Sequence, residues 1–264
     1  MSGSFNNRGE LEIGDGRLIV CAGKKRSGKS VMGLLLFRSY PWDKVVIDIA
    51  RDDGPWGPDV YELSGDVTEL PRRWPEHQRP EHGKPMIVRY TPDPGSPTFV
   101  QDMDAVVGLA LHHGSESGHC AILIHEMGVL CRSNRTPPHS LRLIMHNRHN
   151  HVTGIFCAPR IVGMDPLVAA QADVVYAFEL PSAADRKRLG EDIGINQSDL
   201  DDAFHDLRKH EYLRYDSNED KPEHEDDKDL RLVHWPALPK DVVDDVLAWA
   251  RGTVKGNPVV PARR

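Results

Sequence analysis

The chain has 264 residues, enough for one large α/β domain with a sizeable core, and its formal charge of −7 excludes a uniformly basic nucleic-acid-binding surface. Eight acids and two lysines in residues 216–229 carry −6 of that charge, so the remainder is close to neutral and any DNA contact must come from a local basic loop. Cys21, Cys120, Cys131 and Cys157 lack metal-ligand or disulfide spacing, no apolar run reaches the ~18 residues of a membrane span, and MSGSFNNRGE has no signal-peptide core; together these predict a soluble, cytoplasmic protein with reduced, buried thiols.

In chain order, the polar residues 1–10 precede an apolar run, Leu18 to Ala22, that reads as a buried strand. Gly23, Lys24, Lys25, Arg26, Ser27, Gly28, Lys29 and Ser30 then spell G-x-x-x-x-G-K-S, and Val31 to Tyr40 continue with helical periodicity. Strand, loop and helix in this order form the context a phosphate-binding P-loop requires. Its two glycines let successive N–H groups and the following helix N-terminus face phosphate oxygens. Lys29 then reaches the terminal phosphates and Ser30 ligates Mg²⁺, so the expected ligand is Mg·ATP.

A second buried strand is expected over Val45 to Ala50 and a third over Met86 to Tyr90, with a proline-rich excursion at 71–85 between them. Thr98 to His113 has helical spacing, with Thr98 or Ser96 as its cap. Cys120 to Ile124 is a short apolar run followed by His125 and Glu126. Leu141 to Met145 lies on a helix ending in the polar HNRHNH. Val152 to Cys157 and Val174 to Phe178 read as strands, with Asp165 to Ala172 helical between them. Serine-capped helices are expected over Ser182 to Asp192 and Ser198 to Leu207, an edge strand over Leu230 to Trp235, and an amphipathic helix over Lys240 to Arg251. Alternating strands and helices imply a largely parallel sheet covered on both faces.

A P-loop ATPase needs an acidic strand end opposite the P-loop, and AILIHEMG supplies Glu126 with His125 in front of it. Its distance along the chain from the P-loop fits one extra strand between the two. That is the arrangement of P-loop NTPases of the ASCE or RecA-like kind.

The succession GKKRSGKS, ILIHE, NRHN, VTGIFCAPR, DPLVAAQADVVYAFEL and DRKRL resembles the FtsK/HerA superfamily of DNA-pumping ATPases, above all its compact viral genome-packaging branch. The resemblance covers residues 15–190. It implies that Glu126 is the catalytic glutamate and that Arg148 is an arginine finger offered to a neighbouring subunit, hence a homo-oligomeric ring. His125 stands at the Mg²⁺-side position where the family has an aspartate. Ala158, Pro159 and Arg160 replace its polar sensor. Arg132, Arg135 and Arg142 are the local basic group expected to face double-stranded DNA. Residues 1–195 are expected to form the ATPase core, and 196–264 a helical and acidic extension packed on it or appended to it.

Two functions follow. One is an ATP-driven double-stranded DNA translocase docked on a capsid portal or vertex protein. The other is a catalytically reduced nucleotide-binding or assembly protein, a reading motivated by His125 and the altered sensor.

Overall fold

The computed structural model describes residues 13–49, 60–63, 67, 85–218 and 231–253. Five central strands, β1 (Leu18–Ala22), β2 (Lys44–Ile47), β5 (Cys120–Ile124), β6 (Val152–Ala158) and β7 (Val174–Ala177), are buried at every position. Both faces of these strands are covered, which explains continuous apolar runs where a half-exposed strand would alternate. With β3 (Val60–Leu63), β4 (Ile87–Tyr90), β8 (Tyr212–Asp216) and β9 (Leu232–Trp235) they form one nine-stranded sheet, ordered β3-β4-β2-β5-β6-β1-β7-β8-β9. Pairing is parallel from β3 through β7 and antiparallel where β8 meets β7 and β9 meets β8.

Period-two alternation divides the core. Leu18, Val20 and Ala22 of β1 face one hydrophobic cluster, while Ile19 and Cys21 face the other. The first cluster is closed by α2 (Phe99–Ser117), α3 (Met127–Leu130), α4 (Pro138–His146), α5 (Pro166–Ala170), α6 (Ala183–Ile193) and α7 (Gln197–His205). The second lies under α1 (Lys29–Ser39) and α8 (Lys240–Ala250). Helix α1 is buried nearly all round, from Met32 to Arg38, because α8 covers the side turned away from the sheet. Arg38 joins the two helices, bonding Asp245 at 2.9 Å and lying 5.5 Å over the Trp249 ring. The expected third strand is β4, and the sheet places β6 between β1 and β5, the extra strand that the spacing of the motifs predicted.

Local differences have local causes. Helix α7 starts after Asn196, whose side chain accepts the Ser198 N–H at 2.9 Å, so the cap lies two residues before the expected serine. Ser182 occupies the cap position of α6 without a side-chain cap bond, and the same holds for Thr98 at α2, whose hydroxyl donates to Asp102 instead. The excursion at 71–85 lies outside the described residues except Pro85, and the acidic stretch lies outside them from 219 onward.

Candidate nucleotide site

Helix α1 leaves β1 toward one cluster and α5 leaves β6 toward the other, so the connections from these adjacent strands diverge onto opposite faces. Such a divergence opens a crevice at the strands' carboxyl ends. The P-loop fills it. Gly23 N–H donates to Ala158 O at 3.1 Å, tying the loop to the end of β6, and Lys24 N–H donates to Glu179 O at 3.0 Å, tying it to the chain after β7. Lys24 also ion-pairs with Glu179 through its side chain. Arg26 holds a left-handed backbone at φ 64° and Gly28 one at φ 112°. These turns open the loop ahead of α1 and leave its first N–H groups without helical acceptors.

Lys29 is buried against the loop, while Ser30 is partly exposed and Lys25 is exposed. A cleft of about 490 Å³ opens beside them, lined at this end by Arg26, Gly28, Lys29 and Ser30. His210 lines it as well, from the turn before β8, and its Nδ1 lies 3.2 Å from Ser27 O. Cations and free N–H groups converging on one crevice suit a polyphosphate.

Glu126 follows β5 at the same sheet edge. One strand, β6, separates it from the P-loop strand, about 10 Å at the usual ~4.8 Å strand spacing. The gap accommodates a terminal phosphate and a water. Glu126 is partly exposed and takes a left-handed backbone at φ 60°, ψ 49°. A non-glycine residue pays strain for that conformation, and such strain gathers at functional positions. Its neighbour His125 is buried, with its N–H donating to Ile47 O at 3.3 Å. The expected aspartate position is therefore an imidazole packed beneath the edge. Asp48, fully buried at the end of adjacent β2, pairs with Arg89 at 2.7 Å.

Arg148 lies elsewhere. It precedes β6, at the amino ends of the strands, and ion-pairs there with Asp173. Asp173 also accepts the Leu18 N–H at 2.8 Å and lies 3.4 Å from Arg17. The seven residues of β6 span roughly 20 Å, so Arg148 cannot reach its own P-loop. Arg160 is the arginine at the carboxyl end of β6; it is mostly exposed and contacts Asp185 at 3.2 Å. Of the three basic candidates, Arg132 and Arg135 are exposed on the loop after α3, whereas Arg142 lies on α4 and donates to Asn150 at 2.6 Å.

Phe178, His210, Ala237, Leu238, Lys240 and Val243 line the same cleft, and the sequence does not single them out for it. Phe178 shows only as the end of an apolar run. His210 and Leu238 carry no motif, and only the antiparallel return of β8 and β9 brings them to the P-loop edge.

No family model and no curated protein matches the chain. Solved structures do. The genome packaging NTPase B204 from Sulfolobus turreted icosahedral virus 2, in complex with AMP, superposes with a TM-score of 0.61 at 16% identity, covering 84% of this chain and 98% of that one. The same protein in complex with ATP-gammaS gives 0.59 at 17% identity, over 77% and 93%. The DNA-packaging ATPase B204 from Sulfolobus turreted icosahedral virus gives 0.57 at 20% identity, over 78% and 95%. With a P-loop in place and a mostly parallel sheet in common, the chain has the P-loop NTPase fold of these viral genome-packaging proteins.

Proposed function

We propose that the chain is a Mg·ATP-dependent motor ATPase that acts as a homo-oligomeric ring and moves double-stranded DNA, in the packaging of a viral genome against a capsid portal or vertex protein. One observation carries this reading: Lys29, Ser30 and Glu126 share the carboxyl edge of the sheet, while Arg148 sits at the opposite edge. A site so divided is complete only when a neighbour supplies the arginine. The likeness in fold to a genome packaging NTPase and a DNA-packaging ATPase supports the choice of cargo.

In this reading Lys29 and the N–H groups around Gly28 hold the β- and γ-phosphates. Glu126 orients the attacking water and accepts its proton as the γ-phosphoryl group departs toward that water. Ser30, an oxygen donor lining the cleft, fits Mg²⁺, an ion that keeps most of its waters and needs few protein oxygens. When bound, Mg²⁺ offsets phosphate charge. His125 offers no oxygen and lies buried, so it contributes no ligand to that shell. Arg132 and Arg135, exposed beyond the Glu126 strand, are the DNA-facing group of this proposal.

Steady-state phosphate release, with and without double-stranded DNA, tests the proposal against Lys29→Ala. Turnover stimulated by DNA and abolished in the variant is expected. Tight ATP binding with no turnover under any DNA condition would favour a nucleotide-binding assembly protein.

A further inference from the structure

Two loops leave the carboxyl edge of the sheet on the face of α3 and α6, opposite the face that carries α1, α8 and the cleft between them. One, 131–137, follows α3, and the other, 159–165, follows β6. They pair into a short ribbon. Arg132 and Met164 form an antiparallel bridge, Ser133 N–H donates to Gly163 O at 3.1 Å, and Asp165 N–H donates to Cys131 O at 3.0 Å. The Thr136 hydroxyl closes it by donating to the Asp165 carboxylate at 2.6 Å. Cys131, Ile161 and Met164 anchor the ribbon in the first hydrophobic cluster, while Arg132, Arg135, Arg160 and Val162 are exposed.

A buried carboxylate sets Arg160 on this ribbon. Asp185, in the first turn of α6, accepts the Ile161 N–H at 3.0 Å, the Val162 N–H at 2.8 Å and Arg160 Nε at 3.2 Å. Three donors satisfy its charge, and the guanidinium is held by Nε alone. Among the described residues the two Nη groups meet no acceptor, and the side chain is 61% exposed. Such a fork of paired donors matches phosphate oxygens.

The surrounding sequence favours the same ligand. Residues 127–164 contain no aspartate or glutamate, in a chain that has 40 acidic residues. Arg160 is four residues from Met164, hence at most ~14 Å of chain from the bridge to Arg132. Duplex DNA presents a phosphate charge every ~1.7 Å of its axis, so cations spaced in this way meet several phosphates at once.

We propose that Arg160 is a DNA-phosphate contact of the loop ribbon, positioned by Asp185, and that it does not contact the bound nucleotide. The inference rests on the DNA-translocating reading above and extends its basic group from the loop after Glu126 to the loop after β6.

Fluorescence anisotropy of a labelled duplex, titrated with the full chain over a range of salt concentrations, tests it. Each neutralised phosphate adds about −0.9 to the slope of log affinity against log salt. Arg160→Gln should flatten that slope by about 0.9 for every subunit that grips the duplex, and calorimetry should find its Mg·ATP affinity equal to the parent's. Arg251→Gln, exposed just past α8 on the other face, should leave the slope unchanged and so separates a contact from a loss of overall charge. Asp185→Ala, once a thermal melt shows it folded, gives a test of sign. Removing a negative charge would by itself tighten DNA binding, whereas releasing Arg160 weakens it; tighter binding would overturn the positioning role. An unchanged slope in Arg160→Gln, or a tenfold loss of its ATP affinity, would overturn the contact while leaving Arg132 and Arg135 in place. A parent that binds no duplex at low salt would overturn the DNA reading itself.

Discussion

Phe178 fills the space that a β-carbon on Gly23 would need: the two β-carbons would lie 2.6 Å apart. The Phe178 ring bears on Gly28 in the same way, reaching within 3.0 Å of a β-carbon there. One buried side chain thus shapes both fixed glycines of the P-loop. Gly28→Ala would also force alanine to φ 112°, at a cost of order 1–3 kcal/mol. Both Gly23→Ala and Gly28→Ala should lower the melting temperature and cut ATP affinity at least tenfold. Calorimetry checks this, and parent-like affinity in either variant would show that the loop has room to adjust.

Glu126 should separate activity from stability. Glu126→Gln keeps the side-chain shape and should bind ATP while losing about 10²- to 10⁴-fold in turnover, the usual contribution of a positioned base. Glu126→Gly removes the left-handed strain, so it should be inactive yet melt no lower than the parent. A clearly lower melting temperature would mean that the Glu126 side chain serves the fold.

Arg148→Ala subunits should bind ATP and fail to hydrolyse it. Mixing them with Glu126→Gln subunits should recover part of the turnover, because some interfaces would pair an intact glutamate with an intact arginine. Recovery should rise with protein concentration. A mixture that stays inactive despite proven co-assembly would remove Arg148 from the neighbour's site and leave it as the partner of Asp173.

Lys44 gives a pH test. Burial, assisted by the nearby Arg38 charge, pulls its ammonium down to about 7 from an ordinary value of 10.5. Its Nζ donates to Arg38 O at 3.0 Å. The folded pKa is the lower one, so between about pH 7 and 10.5 the unfolded chain binds the proton that the folded chain gives up, and stability from this group rises with pH. Below about pH 7 the penalty is complete. Lys44→Met should therefore gain most over the parent at neutral pH, and the gap should narrow toward pH 10. Paired thermal melts across that range check it; a gap that widens with pH would reverse the assignment.

The sheet's middle was readable because its strands are buried on both faces and therefore run apolar without interruption. The motif spacing likewise carried the position of β6, since a glutamate two strands from the P-loop implies the strand between. β3 and β8 escaped notice for the opposite reason. Val60 to Leu63 has one well-buried residue of four, and Tyr212 to Asp216 carries Arg214 and Asp216, which are tolerated because they pair with each other. The P-loop end of the cleft is local in sequence and so was legible. Its other wall depends on β9 returning antiparallel and on Arg38 meeting Asp245, 207 positions apart, which no local pattern encodes.

Every thiol of the chain is shielded: Cys21, Cys120, Cys131 and Cys157 are all buried, and burial raises the pKa of Cys21, Cys120 and Cys131, that of Cys131 to about 12. Thiolate is the species that reacts with maleimides and disulfide reagents, so the folded protein should be nearly inert to them. Cys21 and Cys157 stand side by side in the β1–β6 register under α1, and Cys157 Sγ would come within 2.6 Å of a β-carbon on Gly33 of that helix. Their labelling would time the lifting of the P-loop helix from the sheet. A cysteine introduced beside Arg148 would be the one reactive handle on a native background, and in the proposed ring a cross-link formed through it would map which surface of the neighbouring subunit faces this edge.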